Sequence, residues 1–164
     1  MGIKCHRVFF NLLLTVFLLQ TAHATRQSPD ILIDEGQKYF LYSNPLESFW
    51  SKEKPRPHFQ IFYTANMRGY IATWEIEQGI LYLKAIKGVI NNREIVGLES
   101  IFPGQYGRLE ATWFTGKLRI PQGKILKYGY GYESIYEYDL IIHIQKGKVI
   151  KREVIKNELE GFDP

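Results

Sequence analysis

"RGYIATWEIEQGILYLKAIKG", Arg68 to Gly88, is the stretch that decides the fold. Along an extended chain Tyr70, Ala72, Trp74 and Ile76 fall on one side, and Ile71, Thr73, Glu75 and Glu77 on the other. Period-two alternation of apolar and polar residues marks a half-buried antiparallel strand. Gln78-Gly79 supplies a turn, after which Leu81, Leu83 and Ala85 face one way and Tyr82 and Lys84 the other. The segment predicts a hairpin with one face in a core.

Part of it is echoed in "LEATWFTGKLRI", Leu109 to Ile120. Tryptophan to glycine is five steps in the first copy and three in the second, so the strand alternation is kept. Leu118 and Ile120 follow Gly116 as Leu81 and Leu83 follow Gly79. A slip of one residue would have turned every side chain over. Two readings follow. Both copies are hairpins that bury an indole beside a small alanine, or Trp74 and Trp113 form a binding surface of the sugar- or peptide-binding kind. The alanines favour the core.

Outward from this centre, "ILID" and "KYFLY" around Glu35-Gly36 read as a first hairpin. "SNPLESFW" reads as a short helix, with Asn44 as cap, Pro45 at the first position and Glu47 answering the cap. "HFQIFYT" reads as a strand, Asn91-Asn92 as a turn, and Pro103-Gly104 as a stop after the helical spacing of Ile95, Leu98 and Ile101. Lys146-Gly147 suggests a last hairpin, and the chain from about residue 156 lacks apolar periodicity and reads as a frayed tail. The fold class expected is all-β, a mainly antiparallel meander or partial barrel with one short N-terminal helix.

The first 24 residues have a different character. Lys4 and Arg7 precede the apolar run Val8 to Leu19, and Ala22-His23-Ala24 offers small residues at −3 and −1. That order is a secretory signal peptide, and the run is short of the roughly 20 apolar residues of a membrane span. The expected organisation is residues 1–24 cleaved and residues 25–164 one β-rich domain. The expected location is the periplasm or the exterior of a bacterial cell, with no stable membrane insertion after cleavage. Cys5 leaves with the leader, so the mature chain relies on its core without disulfides. Loss of Lys4 and Arg7 lowers the formal charge from +4 to +2. The remaining bases alternate with acids, so no nucleic-acid partner is expected.

Chemistry-bearing motifs are sparse. His58 and His143 are the two mature histidines and lack metal-ligand spacing, so neither metal nor cofactor is expected. No G-x-S-x-G occurs and no catalytic residue is singled out. Glu75 and Glu77 share a strand face about 7 Å apart, a spacing a glycosidase pair could use, although a solvated face explains them as well. The richest cluster is "KYGYGYESIYEYD", where Tyr128, Tyr130, Tyr132, Tyr136 and Tyr138 share parity beside Glu133. It offers a contact patch or stacking platform, or the rim of the core; a bulge at the glycines would break the row. Candidate binding residues are therefore Tyr128, Tyr130, Tyr132, Tyr136, Glu133, Trp74 and Trp113.

"NPLESFW", "RGYIATWEIEQGILYLKAIKG", "FPG" and "WFTGKLRIPQGKILKYGYGYESIYEYDL" together resemble a family of small, uncharacterised bacterial proteins, a domain of unknown function. The resemblance covers about Asn44 to Leu140 and implies a compact β-rich domain, with no assigned activity and no catalytic residues to carry over. The chain departs from the family pattern at "YGYGYES", where a form like "YVHMGYGS" is expected. Binding is thus expected ahead of catalysis. The leading expectation is an exported binding or inhibitory protein, immunity-like, acting on a protein partner in the bacterial envelope. The alternatives are a glycan-binding or glycan-hydrolysing envelope protein and an envelope structural component.

Overall fold

The computed structural model describes residues 26–95 and 97–159. The expected signal peptide, residues 1–24, and the last part of the expected tail, residues 160–164, lie outside them. The described chain is all-β, a single mixed sheet of nine strands. In chain order these are β1 (Asp30–Asp34), β2 (Gln37–Leu41), β3 (Tyr70–Glu77), β4 (Ile80–Ile90), β5 (Arg93–Glu94), β6 (Leu109–Glu110), β7 (Gly116–Lys127), β8 (Ile135–Gln145) and β9 (Lys148–Lys156). Three short 3-10 helices, Pro45–Phe49, Thr64–Asn66 and Leu98–Ser100, interrupt the connections.

Local chemistry sets the hairpins. Glu35-Gly36, Gln78-Gly79 and Lys146-Gly147 all have positive φ at both positions, as does Asn91-Asn92. Two-residue turns of that hand match the natural twist of paired strands. The hairpins expected at Glu35-Gly36, Gln78-Gly79 and Lys146-Gly147 form as read, and Asn91-Asn92 joins β4 to the short β5.

The order of strands departs from a meander. It runs β2-β1-β3-β4-β9-β8-β7, with β5 and β6 also on β4. β1 lies parallel to β3, Leu32 beside Trp74. β4 meets β9 only at their shared turn end, where Leu81 N–H donates to Gly147 O (2.8 Å) and Val149 N–H to Gly79 O (2.8 Å). The sheet curls until its end strands meet. Tyr42 N–H, just past β2, donates to Arg119 O of β7 at 2.8 Å, and Arg119 N–H donates to Ser43 Oγ at 2.9 Å. That is the barrel-like alternative. Leu32, Trp74, Leu83, Leu118 and Ile142 fill its interior, all fully buried.

Several local expectations change. A bulge makes Lys84 the extra residue of β4, since Thr73 opposes Ala85 while Trp74 opposes Leu83. The alternation therefore flips, so that Ala85 is exposed and Ile86 turns inward. The second ATW is not on a hairpin strand. Ala111 to Thr115 is a turn between β6 and β7, closed by Phe114 N–H on Ala111 O (2.9 Å), and β6 pairs with β4. The short helix sits at Pro45–Phe49, but Asn44 makes no side-chain cap. Glu47 instead accepts from Tyr70 Oη at 2.6 Å. "HFQIFYT" meets the sheet at Phe59, bridged to Ile90, and at Gln60, whose N–H donates to Val89 O (2.9 Å), and then leaves it. Asn157, read as part of the frayed tail, is held by Tyr136 O and Asp139 Oδ2.

Gly69 illustrates how tightly this end is packed. Its φ is +75°, and a Cβ there would lie 2.7 Å from Phe59 Cβ and 2.9 Å from Gln60 O. Gly36 has φ +78° with open space around it. Gly69→Ala is expected to cost on the order of 2–4 kcal/mol, from strain and clash together. Gly36→Ala should cost about 1–2 kcal/mol, from strain alone. Denaturant unfolding of the two variants measures the difference, and equal losses would contradict the packing argument.

Candidate binding surface

β1 spells "DILID", and the curl of the sheet turns its aspartates inward beside Leu32 while Ile31 and Ile33 face out. Asp30 is 0 % exposed. It accepts from Ala72 N–H (3.1 Å), Trp74 Nε1–H (3.0 Å) and Arg68 Nη2–H (3.2 Å). Burial pushes its carboxyl up to about 6, against the pull of the Arg68 guanidinium and the two N–H donors. Arg68 also donates to Tyr132 Oη (2.7 Å) and Ser28 O (2.8 Å). Tyr132 Oη lies within donating reach of Ser28 O (3.1 Å) and Asn44 Oδ1 (3.2 Å), and burial pushes this phenol up too. At the far end of β1, Asp34 pairs with Arg152 of β9.

On this base rests the β7–β8 connection, Tyr128 to Ser134. Gly129 runs against the returning backbone, where a Cβ would meet Glu133 C at 2.6 Å. Gly129 N–H donates to Ser134 Oγ (3.1 Å), and Arg119 donates to Tyr132 O (2.6 Å), Ser134 O (2.9 Å) and Asp139 Oδ1 (2.9 Å). Tyr42 stacks on Tyr132 with centroids 4.9 Å apart, and its hydroxyl lies 2.8 Å from that of Tyr136. Burial, then the Tyr42 hydroxyl, pushes the Tyr136 phenol up to about 12. The tyrosine row is therefore split. Tyr132 and Tyr136 are fasteners, whereas Tyr128 is 77 % and Tyr130 61 % exposed, with Glu133 exposed beside them.

A second loop joins this one through residues 26–28. Arg26 forms a parallel bridge to Gly131, and its guanidinium donates to Tyr136 Oη and lies 5.9 Å from the Tyr128 ring centroid. From the other side, Ser28 N–H donates to Ala65 O (2.6 Å), Gln27 Nε2–H to Thr64 O (2.9 Å), and Met67 N–H to Gln27 Oε1 (3.1 Å). The loop thus fixed presents Phe62 (69 % exposed) and Tyr63 (56 % exposed), with Ile61 and Met67 also exposed. Two aromatic loops flank one short segment on a hydrogen-bonded base. Such a layout suits recognition, because the side chains offered to a partner are carried on backbone that is already ordered.

Trp74 and Trp113 lie elsewhere. Trp74 is wholly buried, and Trp113 packs 6.5 Å from it between centroids and 4.8 Å from Phe49, donating Nε1–H to Pro45 O (3.2 Å). Trp74 has no ring surface to offer a partner, whereas Trp113 stays partly exposed. Glu75 and Glu77 are tied to Arg108, and Glu75 also to Lys84 (2.7 Å), which holds its carboxyl below the usual range. A glycosidase acid must be raised instead, so Glu75 is not arranged for that role. Ile61, Phe62, Tyr63, Met67 and Arg26 escaped the sequence reading. The available signal was three large apolar residues in succession, which strand alternation cannot bury on one face.

Among the described residues, no helix is long and apolar enough to cross a membrane. Comparison of the chain with protein-family models, with curated proteins and with solved structures found no match.

Proposed function

We propose that this chain is an exported binding or inhibitory protein that acts on a protein partner in the bacterial envelope through the surface formed by the two aromatic loops. The observation that carries the reading is the exposure of Tyr128, Tyr130, Phe62 and Tyr63 on loops fastened to each other through Arg26, Gln27 and Ser28. Tyrosine and phenylalanine supply large contact area at low entropic cost, and energetic hot spots in protein interfaces are rich in such residues. Glu133 and Arg26 place charges of both signs at the Tyr128–Tyr130 loop, which sets register more than affinity. The family resemblance adds no activity to this reading, since its segments around Pro45 and Trp74 serve the core of this chain.

The test is capture from an envelope extract with a bait beginning at Thr25. The double variants Tyr128→Ala/Tyr130→Ala and Phe62→Ala/Tyr63→Ala are each expected to weaken capture about thirtyfold or more, the effect of losing one hot spot of about 2 kcal/mol. Their unfolding free energies should stay within about 0.5 kcal/mol of wild type per substitution, as for other surface changes. Only background proteins across several extracts, or capture indifferent to both variants, would count against the proposal. A glycan reading draws on the exposed Tyr128 and Tyr130 and the partly exposed Trp113, and binding of soluble glycans by the same bait would favour it. Stable self-association of the purified chain would favour an envelope structural role.

A further inference from the structure

Between the loop that carries Phe62 and strands β3 and β4 lies a cavity of about 190 Å³. Phe62, Ile71 and Val89 give it apolar walls, and Gly69 and Gly88 line it with backbone, each too close to its neighbours to carry a side chain without a clash. Asn66 also lines it. That residue is 8 % exposed, and its Oδ1 is buried without a hydrogen-bond partner among the described residues. Native proteins pair nearly all such atoms, so an orphan beside a cavity points to a ligand that supplies the donor. Lys87 and Glu94 line the same space with opposite charges, which favours a neutral guest over an ion. A cavity of about 150 Å³ holds a benzene ring, so this one has room for a ring with a polar atom attached.

We propose that the cavity receives a neutral aromatic ring bearing an O–H or N–H donor, which it gives to the Asn66 carboxamide. Resting on the protein-partner reading above, that ring is a tyrosine or tryptophan side chain of the partner, seated beneath Phe62 and Tyr63. Indole is the probe, and benzofuran is its near-isostere without the donor. In an NMR titration of the isotope-labelled mature chain, indole is expected to give saturable shifts at the Gly69 and Gly88 amides. Benzofuran should bind about tenfold more weakly, the ratio one hydrogen bond supplies. Asn66→Leu should erase the preference, and Ile71→Trp should fill the space and abolish both, with near-ultraviolet circular dichroism confirming the fold.

No saturable shift at those glycines, or equal affinity for the two probes, overturns the site. The wild-type comparison decides this even where Asn66→Leu fails to fold. Indole binding without capture of any envelope protein leaves the pocket standing and removes the partner's ring from it. Capture undiminished by Ile71→Trp also removes it.

Discussion

Arg68→Met is expected to lower stability by about 3–5 kcal/mol at pH 7.5, because it leaves a buried carboxylate without its counter-ion. Methionine keeps an unbranched apolar stem but loses the guanidinium and its contacts to Asp30, Tyr132 and Ser28. The loss should depend on pH. Asp30 holds its proton more tightly in the folded chain, at about 6, than at its ordinary value of 3.8. Its protonation therefore supports the fold fully below about pH 4, and that support is gone once the pH has risen through about 6. Without the guanidinium the folded value rises further, so the variant regains stability toward pH 5 by neutralising Asp30. Thermal unfolding of both proteins from pH 5 to 8 is the measurement. A difference that stays constant across this range would mean that Asp30 is already neutral beside Arg68.

The two ATW tryptophans should separate clearly. Trp74→Ala is expected to cost about 3–5 kcal/mol, a fall of roughly 10–20 °C in Tm for a chain of this size. Trp74 is fully enclosed, and its Nε1–H is one of the donors that Asp30 relies on, so truncation opens a cavity and strips the carboxylate together. Trp113→Ala should cost roughly half as much, since that ring sits partly exposed on a turn and its hydrogen bond goes to a single backbone carbonyl. Trp74→Phe isolates the polar share, because most of the ring remains while the donor is gone. Equal losses at 74 and 113 would restore the idea of two equivalent sites.

What the sequence made legible was local. Positive-φ pairs such as Gln78-Gly79 and the alternation of β3 belong to neighbouring residues, and those hairpins came out as read. The parallel pairing of β1 with β3 and the contact of β4 with β9 join segments far apart in the chain, and no local period encodes them. The echo of Trp74 at Trp113 misled for a related reason. Parity records which face a residue takes if the chain is extended, and Ala111 to Thr115 is not. The tyrosine row breaks in the same manner, since β7 ends at Lys127 and the loop beyond it, with Gly131 at φ +57°, brings Tyr132 to Arg68. In the candidate surface, Tyr128, Tyr130 and Glu133 were visible as a cluster. Phe62 and Tyr63 fall in a stretch, "HFQIFYT", that reads as a strand. Their adjacency to the tyrosine loop depends on backbone contacts of Ser28 and Met67 that leave no trace in composition.

The aspartates of β1 differ in how they meet solvent. The Asp30–Arg68 pair lies within the fold, whereas Arg152, the partner of Asp34, has over a third of its side chain in water. Dissolved ions screen a pair reached by solvent far more than one that is enclosed. Ionic strength therefore acts on the β9 end of the molecule, and protons act on the end that supports the aromatic loops. One five-residue strand carries two electrostatic controls that can be worked separately.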